Sequence, residues 1–193
     1  MQQNELIEQF IASFEKLDEM AEFPETHPLV RQFAVGSPDP YGRLRWRPMK
    51  VRTDSSQLTP LLEKLPARFP PLFEQLVLSY RWAEVDLRLF RLLANPPGPD
   101  LMGMLDEMEK PSAIWENLLP SGLIQFGMGP DIDFDPVCFD IRSRTKRKDY
   151  KIVKIDHEEI LCNNRIRVVA ELAPSFEQLM LQTIALANQA GES

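Results

Sequence analysis

Asp135-Pro136-Val137-Cys138-Phe139-Asp140 and Val153-Lys154-Ile155-Asp156-His157-Glu158 bound the stretch 135–159, whose reading decides the fold. Each half is a short apolar run closed by polar residues, the pattern of a strand. A basic segment over 142–148 joins them, so the pair reads as a hairpin. Upstream, Leu123-Ile124-Gln125-Phe126 has the same character, and downstream 166–172 alternates as a half-buried strand does. Val85-Asp86-Leu87-Arg88-Leu89-Phe90 also alternates, and Arg43-Leu44-Arg45-Trp46-Arg47 suggests a further short strand.

Helical spacing surrounds these strands. Leu6, Ile7, Phe10, Ile11, Phe14 and Leu17 predict an amphipathic helix over 4–20. Residues 23–39 contain three prolines and no clean period, which predicts an irregular connector. Ser56 or Thr59 is suited to cap a helix through Leu65, with Pro60 in its first turn. Leu72, Phe73, Leu76, Val77 and Tyr80 share one face of a stronger helix. Asn95-Pro96-Pro97-Gly98-Pro99 breaks structure before Leu101, Met104, Leu105 and Met108 restart it. A short helix follows around Ile114-Trp115, and Phe176, Leu179, Met180, Ile184 and Leu186 mark the last one. Strands crowd the second half and helices stand at both ends. That order predicts an α+β fold, a mixed, largely antiparallel sheet flanked by helices, in a single domain over 1–193.

Composition bounds the function. At 193 residues, 44% hydrophobic and 26% charged, the chain can bury a substantial core. Its longest apolar runs are far too short to cross a bilayer, and no basic secretory leader is visible near Gln2, Gln3, Asn4 and Glu5. Cys138 and Cys162 could form only one bridge, and two buried thiols in a reducing compartment is the expectation. The protein is therefore expected to be soluble and cytoplasmic, without membrane association.

The net charge of −7 conceals a segregation. The windows 41–52 and 142–154 hold twelve of the 22 basic residues and one of the 29 acidic ones, Asp149. The rest of the chain is strongly acidic, which disfavours nucleic acid and favours a basic partner. The two basic windows read as solvated hairpin loops, with a phosphate site as the alternative.

Asp131, Asp133 and Asp135 recur at a two-residue period, which in an extended segment places all three carboxylates on one side. A calcium loop starting at Asp131 would need Gly at its sixth position and an acid at its twelfth. Pro136 and Arg142 stand there, so that motif fails. A partner-facing acidic turn and a plain solvated turn remain, with a nonstandard cation site behind them. Asp156, His157, Glu158 and Glu159 either end a strand, with Asp156 capping the next turn, or supply a catalytic dyad. Neighbours in a strand face opposite ways, so the dyad would need a partner from elsewhere in the fold. Neither cysteine has a recognisable partner, and there is no Gly-x-Ser-x-Gly elbow, phosphate loop or zinc spacing. His27 reads as a surface residue of the connector. Trp46, Trp82 and Trp115 read as core residues or, alternatively, as interface anchors. No catalytic residue, metal or cofactor is expected.

The ordered set of Leu65-Pro66, the Gly127 to Asp133 turn, the Asp135-Pro136 strand, Asp156-His157-Glu158 and Ser175-Phe176-Glu177 resembles the SUKH superfamily. That superfamily includes bacterial immunity proteins and a fungal cell-wall-assembly regulator. The resemblance spans roughly 60–185, with Arg81-Trp82 standing where the family often has Asn-Gly. It implies a core over 56–187 preceded by an N-terminal extension over 1–55. It also implies a non-enzymatic protein-binding module, an immunity protein that neutralises a basic, nuclease-type toxin domain. The partner-facing residues would be Asp131, Asp133, Asp135, Asp140, Asp156, His157 and Glu158. A scaffold or regulator with a non-toxin partner is the alternative, and a hydrolase using Asp135, Asp140 and His157 is a remote third reading. The sequence does not fix the oligomeric state.

Overall fold

Residues 71–79 show how the sequence builds the core. Pro70 and Pro71 start the chain in a helical direction, and α3 (Pro71–Ser79) then carries Leu72, Phe73, Leu76 and Val77 inward. The computed structural model describes residues 3–17, 33–41, 45–98, 100–143 and 149–190. Around α3 lie α1 (Gln3–Leu17), α2 (Thr59–Leu62), α4 (Met102–Met108), α5 (Ser112–Leu118), α6 (His157–Asn163) and α7 (Phe176–Ala190).

Six strands form one antiparallel meander: β5 (Val85–Asp86), β6 (Arg91–Leu92), β7 (Leu123–Met128), β8 (Pro136–Asp140), β9 (Lys151–Ile155) and β10 (Val168–Ala173). They lie side by side in chain order. Two small ribbons, β1 (Ala34–Val35) with β2 (Arg45–Trp46) and β3 (Met49–Lys50) with β4 (Tyr80–Arg81), complete the strands. The whole is a single α+β domain.

Alternation along β8 and β9 separates two cores. Val137, Phe139 and Ile152 face α1, α3 and α7, while Cys138, Val153 and Ile155 face Ile114 and Leu118 of α5 and Ile160 of α6. The larger core is a cluster of rings. Phe126 and Phe139 stack at 4.1 Å, Phe73 meets Phe139 edge-on at 5.1 Å, and Phe176 meets Phe73 at 5.1 Å. Such offset and edge-on pairs match the ring quadrupoles.

The helix of the N-terminal extension belongs to this core. Phe10 and Phe14 of α1 are buried, Phe10 against Phe176 and Phe14 against Trp82. Of the irregular connector expected over 23–39, residues 23–32 lie outside the described residues, and Ala34–Val35 pairs as a strand. Residues 42–44 and 18–20 also lie outside them, so the expected first strand is seen as Arg45–Trp46 alone.

Several local expectations change. Residues 85–90 are not one strand. The Asp86 carboxylate accepts the Arg88 N–H at 2.7 Å, Arg88 adopts φ 64°, and the chain turns back into β6. The cap of the segment after Val51 is Asp54, which accepts from Ser56 N–H at 2.8 Å, and the α2 turn ends at Leu62, not Leu65. Tyr80 belongs to β4. Cys138 is buried as expected, but Cys162 is exposed, and both are free thiols.

The largest change is α6. Asp156 is an N-cap, accepting the Glu159 N–H at 2.9 Å; Glu158 and Glu159 complement the first turn, and Asn164 ends the helix at φ 51°.

The basic windows are also less solvated than expected. Lys151 and Lys154 sit in β9 and pair with Glu171 and Asp133, while Lys50 and Arg47 pair with Glu8 and Glu15 of α1. Residues 144–148 lie outside the described residues. Among the described residues no helix is long and apolar enough to cross a membrane.

Candidate functional site

The turn over 129–135 joins β7 to β8 and is tied down by its own backbone. Gly129 N–H donates to the Asp135 carbonyl at 2.9 Å, and Asp133 N–H donates to Pro130 O at 3.0 Å. The Asp133 carboxylate accepts the Asp135 N–H at 2.9 Å, and Asp86 accepts the Asp131 N–H at 2.7 Å. Arg91 of β6 reaches beneath, donating to the carbonyls of Gly129 at 3.0 Å and Asp133 at 3.1 Å. A loop whose polar backbone is satisfied this fully is a built structure.

This network redistributes the aspartates. Asp131 adopts φ 53°, so the segment is not extended and its three carboxylates do not share one side. Asp133 and Asp135 turn toward β9, where the register sets Lys154 opposite Val137. The Lys154 ammonium lies 2.8 Å from Asp133 and 3.8 Å from Asp135. It occupies the position between the two carboxylates that a bound cation would need. Among the described residues no three His, Cys, Asp or Glu side chains converge as a metal site requires. Burial pushes the Asp133 carboxyl up. The Lys154 hydrogen bond and charge, with the Asp135 N–H, outweigh it and hold the group below the usual carboxylate range.

His157 does find a partner from elsewhere in the fold. Asp135 accepts its backbone N–H at 3.0 Å and lies 2.7 Å from its Nδ1. A single carboxylate oxygen therefore fixes both the start of α6 and the ring. This bond places the Nδ1 proton toward Asp135, as in an orienting Asp–His pair. No candidate nucleophile accompanies the pair on the turn, and the ring packs edge-on against Phe134 at 6.3 Å.

The other expected site residues do not all gather here. Asp140 lies at the far end of β8, about 17 Å along the strand from Asp135. The Arg142 hydrogen bond outweighs its burial there and holds its carboxyl below the usual range. Asp156 caps α6 and pairs with Arg167, whose hydrogen bond lowers its carboxyl. Glu158 and Asp131 are exposed.

Four residues that sequence reading passed over complete the site: Arg91, Lys154, Ile132 and Phe134. Ile132 is 87% exposed and Phe134 55% exposed, the two most exposed large aliphatic or aromatic side chains near the aspartates. Arg91 lies over the Phe134 ring at 5.5 Å from its centroid. The signal was in Asp131-Ile132-Asp133-Phe134-Asp135 itself: apolar residues alternating with acids in a segment that cannot be a core strand.

No family model matches the chain, and no curated protein matches it in sequence.

Proposed function

We propose that this protein is a non-enzymatic protein-binding module of the SUKH type, an immunity protein whose partner is a basic, nuclease-type toxin domain. One observation carries the reading. The ionisable groups of the 129–135 turn are consumed in pairs that hold the turn's shape, while its apolar side chains point into solvent. Asp133 with Lys154 and Asp135 with His157 are braces. A catalytic site would instead aim such groups at a shared reacting atom. An acidic chain of net charge −7 would meet a basic partner quickly through long-range attraction.

The pairing alters which acids serve the partner. Asp131 and Glu158 are exposed, whereas Asp133, Asp135, Asp140 and Asp156 mainly hold structure. Charge reversal at Asp133 or Asp135 would disturb the turn before it tested an interface.

The test is capture by the tagged protein from native lysate, washed first at low and then at high salt. Retention of one basic toxin-type protein through the high-salt wash supports the reading, because exposed charge pairs alone are screened under those conditions. Retention of envelope or signalling proteins instead would favour a scaffold with a non-toxin partner, and an empty column would count against a binding module.

A further inference from the structure

We propose that Ile132 and Phe134 form a two-residue apolar plug that enters an apolar cleft bordered by basic side chains on the partner protein. This rests on the binding-module reading and specifies where the affinity resides.

Three features of the turn converge on it. First, the exposed apolar surface is paired and local. Ile132 and Phe134 flank Asp133 on one tip, whereas Leu161, Val168 and Val169, also exposed, lie on α6 and β10. Second, the tip is preorganised. The Gly129, Asp133 and Asp135 backbone bonds, the Arg91 bonds from below and the Lys154 bridge fix its path before any partner arrives. Ordering costs on docking are correspondingly small, which favours a fixed plug over a flexible loop. Phe134 is held between the Arg91 guanidinium and the His157 ring, with more than half of its surface left open.

Third, the collar of the tip is acidic. Asp86 holds the Asp131 N–H, Glu84 pairs with the Arg91 that underlies Phe134, and Glu158 follows the His157 that packs on it. Asp131 itself is exposed. On the basic side, Arg91 and Lys154 are engaged with Glu84 and Asp133, and Arg88 is exposed on the hairpin beside Asp86. An apolar centre inside a charged rim is the arrangement in which the centre sets the lifetime of a complex and the rim sets its rate of formation. The sign of the rim selects a basic partner and disfavours both an anionic lipid surface and a second copy of the same tip.

The experiment places a photo-crosslinking benzoylphenylalanine at position 132, 134, 161 or 169 of the full chain and irradiates native lysate. The protein joined to the chain is then purified and its binding kinetics are measured. The proposal expects one basic protein, joined from 132 and 134 and not from 161 or 169. It further expects Ile132→Ser/Phe134→Ser to weaken that protein's binding at least about 30-fold, mainly through faster dissociation. Asp131→Asn/Glu158→Gln should slow association and flatten its salt dependence, leaving dissociation nearly unchanged. A partner joined from 161 or 169 would overturn the plug while leaving the binding-module reading intact. Crosslinks from 132 and 134 to lipid or to a second copy would overturn it too. Absence of any crosslinked protein at all four positions would overturn both.

Discussion

Gly129→Ala tests whether the candidate site depends on the close approach of two backbone segments. A Cβ on Gly129 would lie 2.1 Å from Asp133 Cγ, 2.3 Å from Oδ2 and 2.6 Å from Cβ. The first two atoms could swing aside, but the third moves only with the Asp133 backbone. Moving it loosens two interactions at once: the 2.8 Å contact with Lys154 and the 2.9 Å hydrogen bond from Asp135 N–H. The ion pair is partly exposed and contributes about 1 kcal/mol after screening. The hydrogen bond contributes about 1 kcal/mol net. The expected destabilisation is about 2 kcal/mol, or about 4–8 °C in Tm for a chain of this size. Urea unfolding followed by circular dichroism gives the midpoint, and an unchanged m-value confirms that only stability has moved. The control is the same substitution in an Asp133→Gly background, where all three contacting atoms are gone and the added cost should fall below about 0.5 kcal/mol. Full stability of Gly129→Ala, or an equal cost in both backgrounds, would refute the packing of Gly129 beneath Asp133.

Further perturbations test other parts of the account. Phe139→Ala removes a ring that touches Phe69, Phe73, Phe126 and Phe176, and calorimetry should show a loss of about 3–5 kcal/mol. Neutral His157 should carry its proton on Nδ1, donated to Asp135; long-range proton–nitrogen correlation spectra check this, and Asp135→Asn should release the preference. Asp133, Asp140 and Asp156 all have carboxyls lowered in the folded state, so their stabilisation is present above the unfolded carboxylate value of about 4 and is lost as pH falls through their folded values. Asp149, whose carboxyl burial raises despite its bonds to Tyr150 and Phe176 N–H, acts in the opposite sense. Urea midpoints should fall on acidification below about pH 4, and by less in Asp133→Asn, where one of the three lowered carboxyls is gone.

The fold was legible in the sequence where burial enforces a period. Val137, Phe139 and Ile152 face one core and Cys138 and Val153 the other, so β8 and β9 read as apolar runs and fall where expected. The helices around Leu6, Phe73 and Phe176 likewise follow from their apolar stripes. The short hairpin at Asp86 did not, because alternation continues through it and only a side-chain bond to Arg88 N–H reveals the turn. The α6 helix was hidden for a similar reason. Asp156-His157-Glu158-Glu159 carries an N-cap and an acidic first turn, but the helix is seven residues long and Ile160 is its one buried residue. The site was legible in its acids and not in their roles. Lys154 neutralises Asp133 across a strand pairing, and Arg91 braces the turn from β6, contacts that local spacing does not encode.

The central claim is that a rigid tip at Ile132 and Phe134 binds a toxin domain, and growth rescue tests it most directly. The toxin domain encoded beside this protein's gene is expressed together with the chain, and survival is scored. The account predicts rescue by the natural chain and loss of rescue by Ile132→Ser/Phe134→Ser, with the melting temperature of that variant nearly unchanged because both side chains are largely exposed. Rescue by the double variant equal to that by the natural chain, or no rescue by the natural chain, would contradict it.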